Sequence, residues 1–101
     1  MSGSLFVHRC NALLELERWK EAEEDAKKAV ELSPEWAKAH LCLGNAYFKQ
    51  GLYVDAATTY YRGCELAPAN KELSMKFQEA LEVGKRERQK EVMEAEERKE
   101  H

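Results

Sequence analysis

No apolar run in this sequence approaches the ~20 residues that cross a bilayer. Residues 1–4 carry neither the basic stretch nor the apolar core of a secretory signal. A soluble, cytoplasmic chain without a membrane partner is expected. Cysteine is scarce and odd in number: Cys10, Cys42 and Cys64 have no Cys-x-x-Cys spacing, which argues against both a disulfide framework and a zinc knuckle. An excess of one charge is missing too. The 16 basic and 19 acidic residues are interspersed, and a net charge of −3 provides no field to gather nucleic acid. Nor is there a glycine-rich phosphate loop, a Gly-x-Ser-x-Gly elbow or a paired carboxylate in an apolar setting. His8-x-Cys10 and His40-x-Cys42 look like ligand pairs, but residues two apart on a helix point in nearly opposite directions and cannot chelate one ion. No catalysis, cofactor or metal is expected.

Ala, Glu, Leu and Lys are abundant and charged residues make up 35% of 101 residues, a mixture that favours helix and leaves no room for strands. The length suits one domain with one modest core. Set against itself at an offset of 34, the chain pairs Asn11 with Asn45, Ala12 with Ala46, Ala22 with Ala56, Glu31 with Glu65, Leu32 with Leu66 and Pro34 with Pro68. Trp19 with Tyr53, Leu14 with Phe48 and Lys28 with Arg62 are conservative matches in between.

Each unit has a helical apolar period broken in its middle and at its end. His40, Leu43 and Tyr47 step by three and four, Gln50-Gly51-Leu52 interrupts, and Tyr53, Ala56, Tyr60 and Cys64 resume the rhythm. Pro34 and Pro68 end the units, because proline and the residue before it resist helical continuation. Helices are therefore expected at about 4–16, 20–32, 37–50, 54–66 and 71–98. The first repeat occupies 4–34, the second 37–70, and residues 71–84 cap the stack with a stripe of Leu73, Phe77, Ala80 and Leu81. Residues 85–101 read as a charged, solvated helical extension within the same 1–101 domain, since Val92, Met93 and Ala95 do not sustain a heptad.

The stretch Leu43-Gly44-Asn45-Ala46-Tyr47, followed by Gly51, Tyr53, Ala56, Tyr60 and Leu66-x-Pro68, closely resembles the tetratricopeptide repeat (TPR) pattern. The first unit is more degenerate, with Cys10 and Glu17 where the pattern's glycines fall and Ala26 where its large aromatic falls. Over residues 4–84 the resemblance implies an all-α, short right-handed solenoid of two helix pairs and a long C-terminal capping helix. It also implies a concave groove, lined by the first helix of each pair, that binds a peptide of another protein.

The residues that would line such a groove follow from helical spacing. Lys38, Cys42, Asn45 and Lys49 share one face of the third helix, His8, Asn11 and Glu15 that of the first, and Glu72, Lys76 and Glu79 that of the last. The two asparagines can address a peptide backbone or bridge neighbouring helices, and Lys38, Lys49 and Lys76 favour an acidic ligand or are simply solvated. Cys10 and Cys64 sit on packing faces. The chain further resembles the second and third repeats of co-chaperones whose carboxylate clamp grips the acidic C-terminal tail of heat-shock chaperones. That resemblance puts Lys38 on the clamp lysine, His8 where an asparagine belongs and Cys42 where an arginine belongs; the repeat supplying the first Lys and Asn is absent. With charge-assisted hydrogen bonds to a carboxylate at about 1.5–3 kcal/mol each, a full clamp is not expected here. The expected function is a co-chaperone-like adaptor or scaffold. A different reading is a self-associating element, or a piece of a longer protein, docking through an exposed apolar face of Leu5, Phe6, Val7, Leu13 and Leu14.

Overall fold

The computed structural model describes residues 3–99 and forms five helices: α1 (Gly3–Glu15), α2 (Trp19–Leu32), α3 (Ala37–Lys49), α4 (Tyr53–Leu66) and α5 (Lys71–Lys99). The expected boundaries are met within one residue. The far ends of the sequence-assigned domain and of its charged extension, residues 1–2 and 100–101, lie outside the described residues.

The stride of 34 reappears in the backbone. Arg18 N–H donates to the Leu13 carbonyl at 2.9 Å and Leu52 N–H to the Tyr47 carbonyl at 3.0 Å, closing the turn inside each pair. Ser33 N–H reaches Ala29 O at 2.8 Å and Ala67 N–H reaches Gly63 O at 2.9 Å, closing each pair's end ahead of the proline. Equivalent sequence thus produces equivalent turns. Gly51 has a φ of 81° and Glu17, its counterpart, a φ of 61°. A left-handed residue is required at this place; glycine adopts it freely, and Glu17 does so at a steric cost. At the start of α5 the Asn70 side chain accepts from Leu73 N–H at 3.1 Å, capping the helix where Pro68 has broken the preceding one.

Each helix packs on its neighbour in sequence, and α1 also touches α3, so the first helices of the two pairs lie side by side. The dimensions are 58 × 29 × 20 Å, with α5 along the length. The core is thin and rich in alanine. One cluster gathers Val7, Cys10, Ala22, Ala26, Ala29, Ala39, Leu43 and Ala46 between α1, α2 and α3, and a second gathers Leu41, Ala56, Ala57, Tyr60, Leu73 and Ala80 between α3, α4 and α5. Tyr47 packs against both and joins them. Small side chains let the helices approach closely, and a few large ones fill what is left. At Gly44 a Cβ would stand 2.5 Å from two ring carbons of Tyr60, so the absence of a side chain there is what admits that ring.

Polar contacts tie the layers. Glu23, on α2 and 3% exposed, accepts from Lys27 at 2.8 Å, from Lys20 at 3.5 Å and, across to the end of α3, from Gln50 at 2.8 Å. Burial pushes its carboxyl up, but the bonds from Lys27 and Gln50 and the two lysine charges outweigh that and hold it below the ordinary glutamate value of 4.5. His40 is buried and bonds the Pro34 carbonyl at 2.8 Å, fixing the approach to α3.

Candidate peptide-binding groove

α1 lies against α3, and Asn11, Cys42 and Asn45, three of the residues expected to line a groove, make their contacts along α3. The Cys42 thiol donates to Asn11 Oδ1 at 3.3 Å and the Cys10 thiol to the Cys42 carbonyl at 3.8 Å, so α1 is stitched to α3 along this line. One turn further on, Tyr60 reaches from α4 with its ring buried and donates its hydroxyl to Asn45 Oδ1 at 2.5 Å. Burial raises the Tyr60 pKa, and the charges of Glu79, Cys42 and Glu72 raise it further.

The two thiols are unequal. Cys10 is held protonated by its hydrogen bond with Cys42 and by burial. Cys42 is pulled the other way by the Cys10 thiol and, against the penalty of burial, by the Lys38 ammonium, with Glu72 opposing.

The sequence-assigned groove residues fall in three groups. Asn11 and Cys42 bond each other across α1 and α3, Cys42 being 2% exposed, and Asn45 of α3 holds Tyr60 of α4. Cys42 is thus a buried strut between α1 and α3 and not an exposed ligand-facing side chain, because α1 lies directly against it. Lys38 and His8 are exposed. Lys49 is exposed but leans towards α2, its ammonium 6.0 Å from the Trp19 ring centroid, and Lys76 is half-buried on α5. The Tyr60 hydroxyl is the feature that spacing did not reveal. Its signal was present, since a tyrosine on a packing stripe needs a partner for its hydroxyl and Asn45 lay one repeat-half away.

The apolar face assigned to α1 is corrected in the structure. Val7 is 1% exposed and belongs to the core, while Phe6, Leu13 and Leu14 pack against that core. Leu5, at 50% exposure, is the one side chain of the five that stands open. The remaining four are turned inward by α2 and α3, which cover more of α1 than periodicity alone suggested. Among the described residues no group of three or more His, Cys, Asp or Glu side chains is arranged to hold a metal ion, and no helix is long and apolar enough to cross a membrane.

Paired helices with a fixed stride, stacked so that the first helices of the two pairs lie side by side, define a helical-repeat scaffold. Residues 10–71 match the tetratricopeptide repeat, and the chain belongs to that family. Among curated relatives it is 36% identical over 76 residues to Protein STIP1 homolog of Dictyostelium discoideum, covering 75% of this chain and 14% of that one. It is 41% identical over 69 residues to the Hsp70-Hsp90 organizing protein of Triticum aestivum, covering 68% and 12%. The chain thus spans less than a fifth of the length of the curated relatives it matches. Among solved structures it resembles the first TPR of Spaghetti (RPAP3) bound to HSP90 peptide SRMEEVD, with a TM-score of 0.78 and 28% identity over 81% of this chain and 65% of that one. It also resembles the second TPR domain of human RPAP3 in complex with HSP70 peptide SGPTIEEVD, with a TM-score of 0.75 and 25% identity over 78% and 66%. The fold is accordingly an all-α, right-handed TPR solenoid of two helix pairs closed by a long helix.

Proposed function

We propose that this chain is a peptide-holding adaptor domain that captures an acidic, C-terminal segment of a partner protein in the hollow between α1, α3 and α5, and that it acts by binding and not by catalysis. The observation that carries the reading is the likeness to two solved TPR domains bound to acidic peptides ending in EEVD, in a chain that carries Asn11 on α1 and both Asn45 and an exposed Lys38 on α3. Lys38 is the cation of the site. It is exposed on α3, and after the Cys10 hydrogen bond its charge helps to lower the Cys42 pKa, so the same field would stabilise a peptide carboxylate placed there. Glu72 and Glu79 are exposed on the face of α5 expected to line the groove and would repel acidic side chains there, which would orient such a peptide with its charged end towards Lys38.

Cys42 in place of a cation makes the grip weaker than a complete clamp, and a chaperone tail is then one candidate among acidic peptides of the same class. A cytoplasmic setting is part of this proposal. The test is a titration of fluorescently labelled peptides that end in an acidic run, with a free and with an amidated C-terminus. Removing one charge-assisted hydrogen bond is worth about 1.5–3 kcal/mol, so Lys38→Ala should weaken the free-acid peptide roughly tenfold or more and the amidated one far less. Equal affinity of the wild type for both peptides, unchanged in Lys38→Ala, would remove the proposal's basis.

A further inference from the structure

Among the described residues, no side chain of the distal half of α5 is buried. From Lys85 to Arg98 every described side chain is exposed, Val92 and Met93 at 51% and 63%. An isolated helical segment of this length is marginal in water, where most helical stability comes from packing an apolar face. The face in question runs through Leu81, Lys85, Arg88 and Val92, spaced four, three and four. It continues directly from an apolar groove of about 390 Å³ between α4 and α5, walled by Tyr53, Tyr61, Phe77 and Leu81 and closed at its far end by Lys85 and Arg88.

The charge sequence along this helix is self-complementary. Residues 85–90 contain Lys85, Arg86, Arg88 and Lys90 against the single acid Glu87, whereas residues 91–97 contain Glu91, Glu94, Glu96 and Glu97 and no base. Among the described residues, Lys85, Arg88 and Lys90 have no carboxylate at ion-pair distance, and Arg86 meets only Glu82, at 3.9 Å. Two such helices laid antiparallel bring each basic segment against the partner's acidic one, twice over, as a two-fold contact requires. The same alignment carries the partner's Val92 and Met93 towards the open end of the groove. A parallel pairing would instead set like charges together.

We propose that a second copy of this chain docks antiparallel along the distal half of α5, with its 91–97 segment over residues 85–90 and the mouth of the α4/α5 groove. This surface lies apart from the concave hollow, so a dimer would display two peptide sites.

The experiment is sedimentation velocity on the whole chain and on two charge-reversed variants. One carries Lys85→Glu, Arg86→Glu, Arg88→Glu and Lys90→Glu; the other carries Glu91→Lys, Glu94→Lys, Glu96→Lys and Glu97→Lys. The wild type should dimerise at low salt and dissociate as salt rises past ~0.1 M, where screening shortens to about 10 Å. Each variant alone should sediment as a monomer, and an equimolar mixture should recover a dimer. Circular dichroism on each sample checks that α1 to α4 remain folded, and the mixture keeps the test decisive even if a variant's own distal helix frays. A wild type that stays monomeric at about 500 µM in low salt overturns the proposal, since mass action would populate any dimer of useful affinity there. Two variants that dimerise separately as the wild type does would overturn it equally, as would capture of only an acidic helix from another protein by a chain that never pairs with itself.

Discussion

Replacing Gly44 by alanine sets two known effects against each other, and the geometry decides between them. Alanine is a better helix former than glycine by about 1 kcal/mol, and Gly44 lies in the middle of α3, so propensity alone forecasts a more stable protein. Yet the new Cβ would stand 2.5 Å from Cδ1 and Cε1 of Tyr60, about an ångström inside ordinary contact. Tyr60 cannot swing away cheaply. Its ring is 1% exposed within the α3/α4/α5 cluster, and its hydroxyl is committed to Asn45. Overpacking of this kind costs about 1–3 kcal/mol, and a strained or broken Tyr60–Asn45 hydrogen bond adds about 1 kcal/mol. The net expectation is destabilisation by about 2 kcal/mol, which for a domain of this size lowers the melting midpoint by roughly 10 °C. Thermal denaturation followed by circular dichroism measures it, and a double-mutant cycle with Tyr60→Leu isolates the cause. Because the smaller side chain vacates the colliding atoms, the double variant should recover about 1 kcal/mol relative to the sum of the singles. A Gly44→Ala protein as stable as the wild type, or more stable, would refute the reasoning, since the ring would then be free to give way.

The other predictions concern single contacts. Glu17→Gly should raise stability by about 0.5–1 kcal/mol, because Glu17 holds a φ of 61° where the equivalent Gly51 sits at 81°; chemical denaturation reads this directly. Gly51→Ala should do the reverse by a similar amount. Tyr60→Phe should cost about 1 kcal/mol through the lost bond to Asn45, and should sharpen or shift the Asn45 side-chain amide resonances without unfolding the core. Glu23 provides a pH signature. Its carboxyl is held below 4.5 in the folded chain, so the stabilisation is complete above the unfolded value of 4.5 and is lost as pH falls through the lower folded value. Glu23→Gln should therefore be less stable than wild type near neutrality, and the gap should narrow as acid is added below pH ~4.5.

Much of this architecture was legible in the residues, for identifiable reasons. The stride of 34, the prolines and the apolar period determined five helices because each depends on local rules that tertiary contacts did not override. Even the degenerate turn at Glu17 carried its meaning, since alignment put it on the glycine of the second repeat and the backbone there is left-handed. The groove was harder to read. Helical spacing gathered Asn11, Lys38, Cys42 and Asn45 as one groove lining, but spacing gives direction and not depth. It could not tell that α1 presses onto Cys42, that Tyr60 passes beneath α3 to occupy Asn45, or that Lys49 turns to Trp19. The apolar residues of α1 misled for the same reason. Val7, Leu13 and Leu14 cover more than one side of a helical wheel because α1 is packed by both α2 and α3. The α4/α5 groove has no periodic signature of its own and became visible only once two helices were set side by side.

The central claim is that the hollow between α1, α3 and the first half of α5 holds the peptide. Backbone amide chemical shifts of the isotope-labelled chain, followed while a peptide ending in a free, acidic C-terminus is added, test it most directly. The account predicts progressive, saturable shifts concentrated at residues around Asn11, Lys38, Cys42, Asn45 and Lys76, with α2 and the outer face of α4 little changed. Shifts confined to the α4/α5 groove or to the distal half of α5, or none across the concave face at saturation, would contradict it.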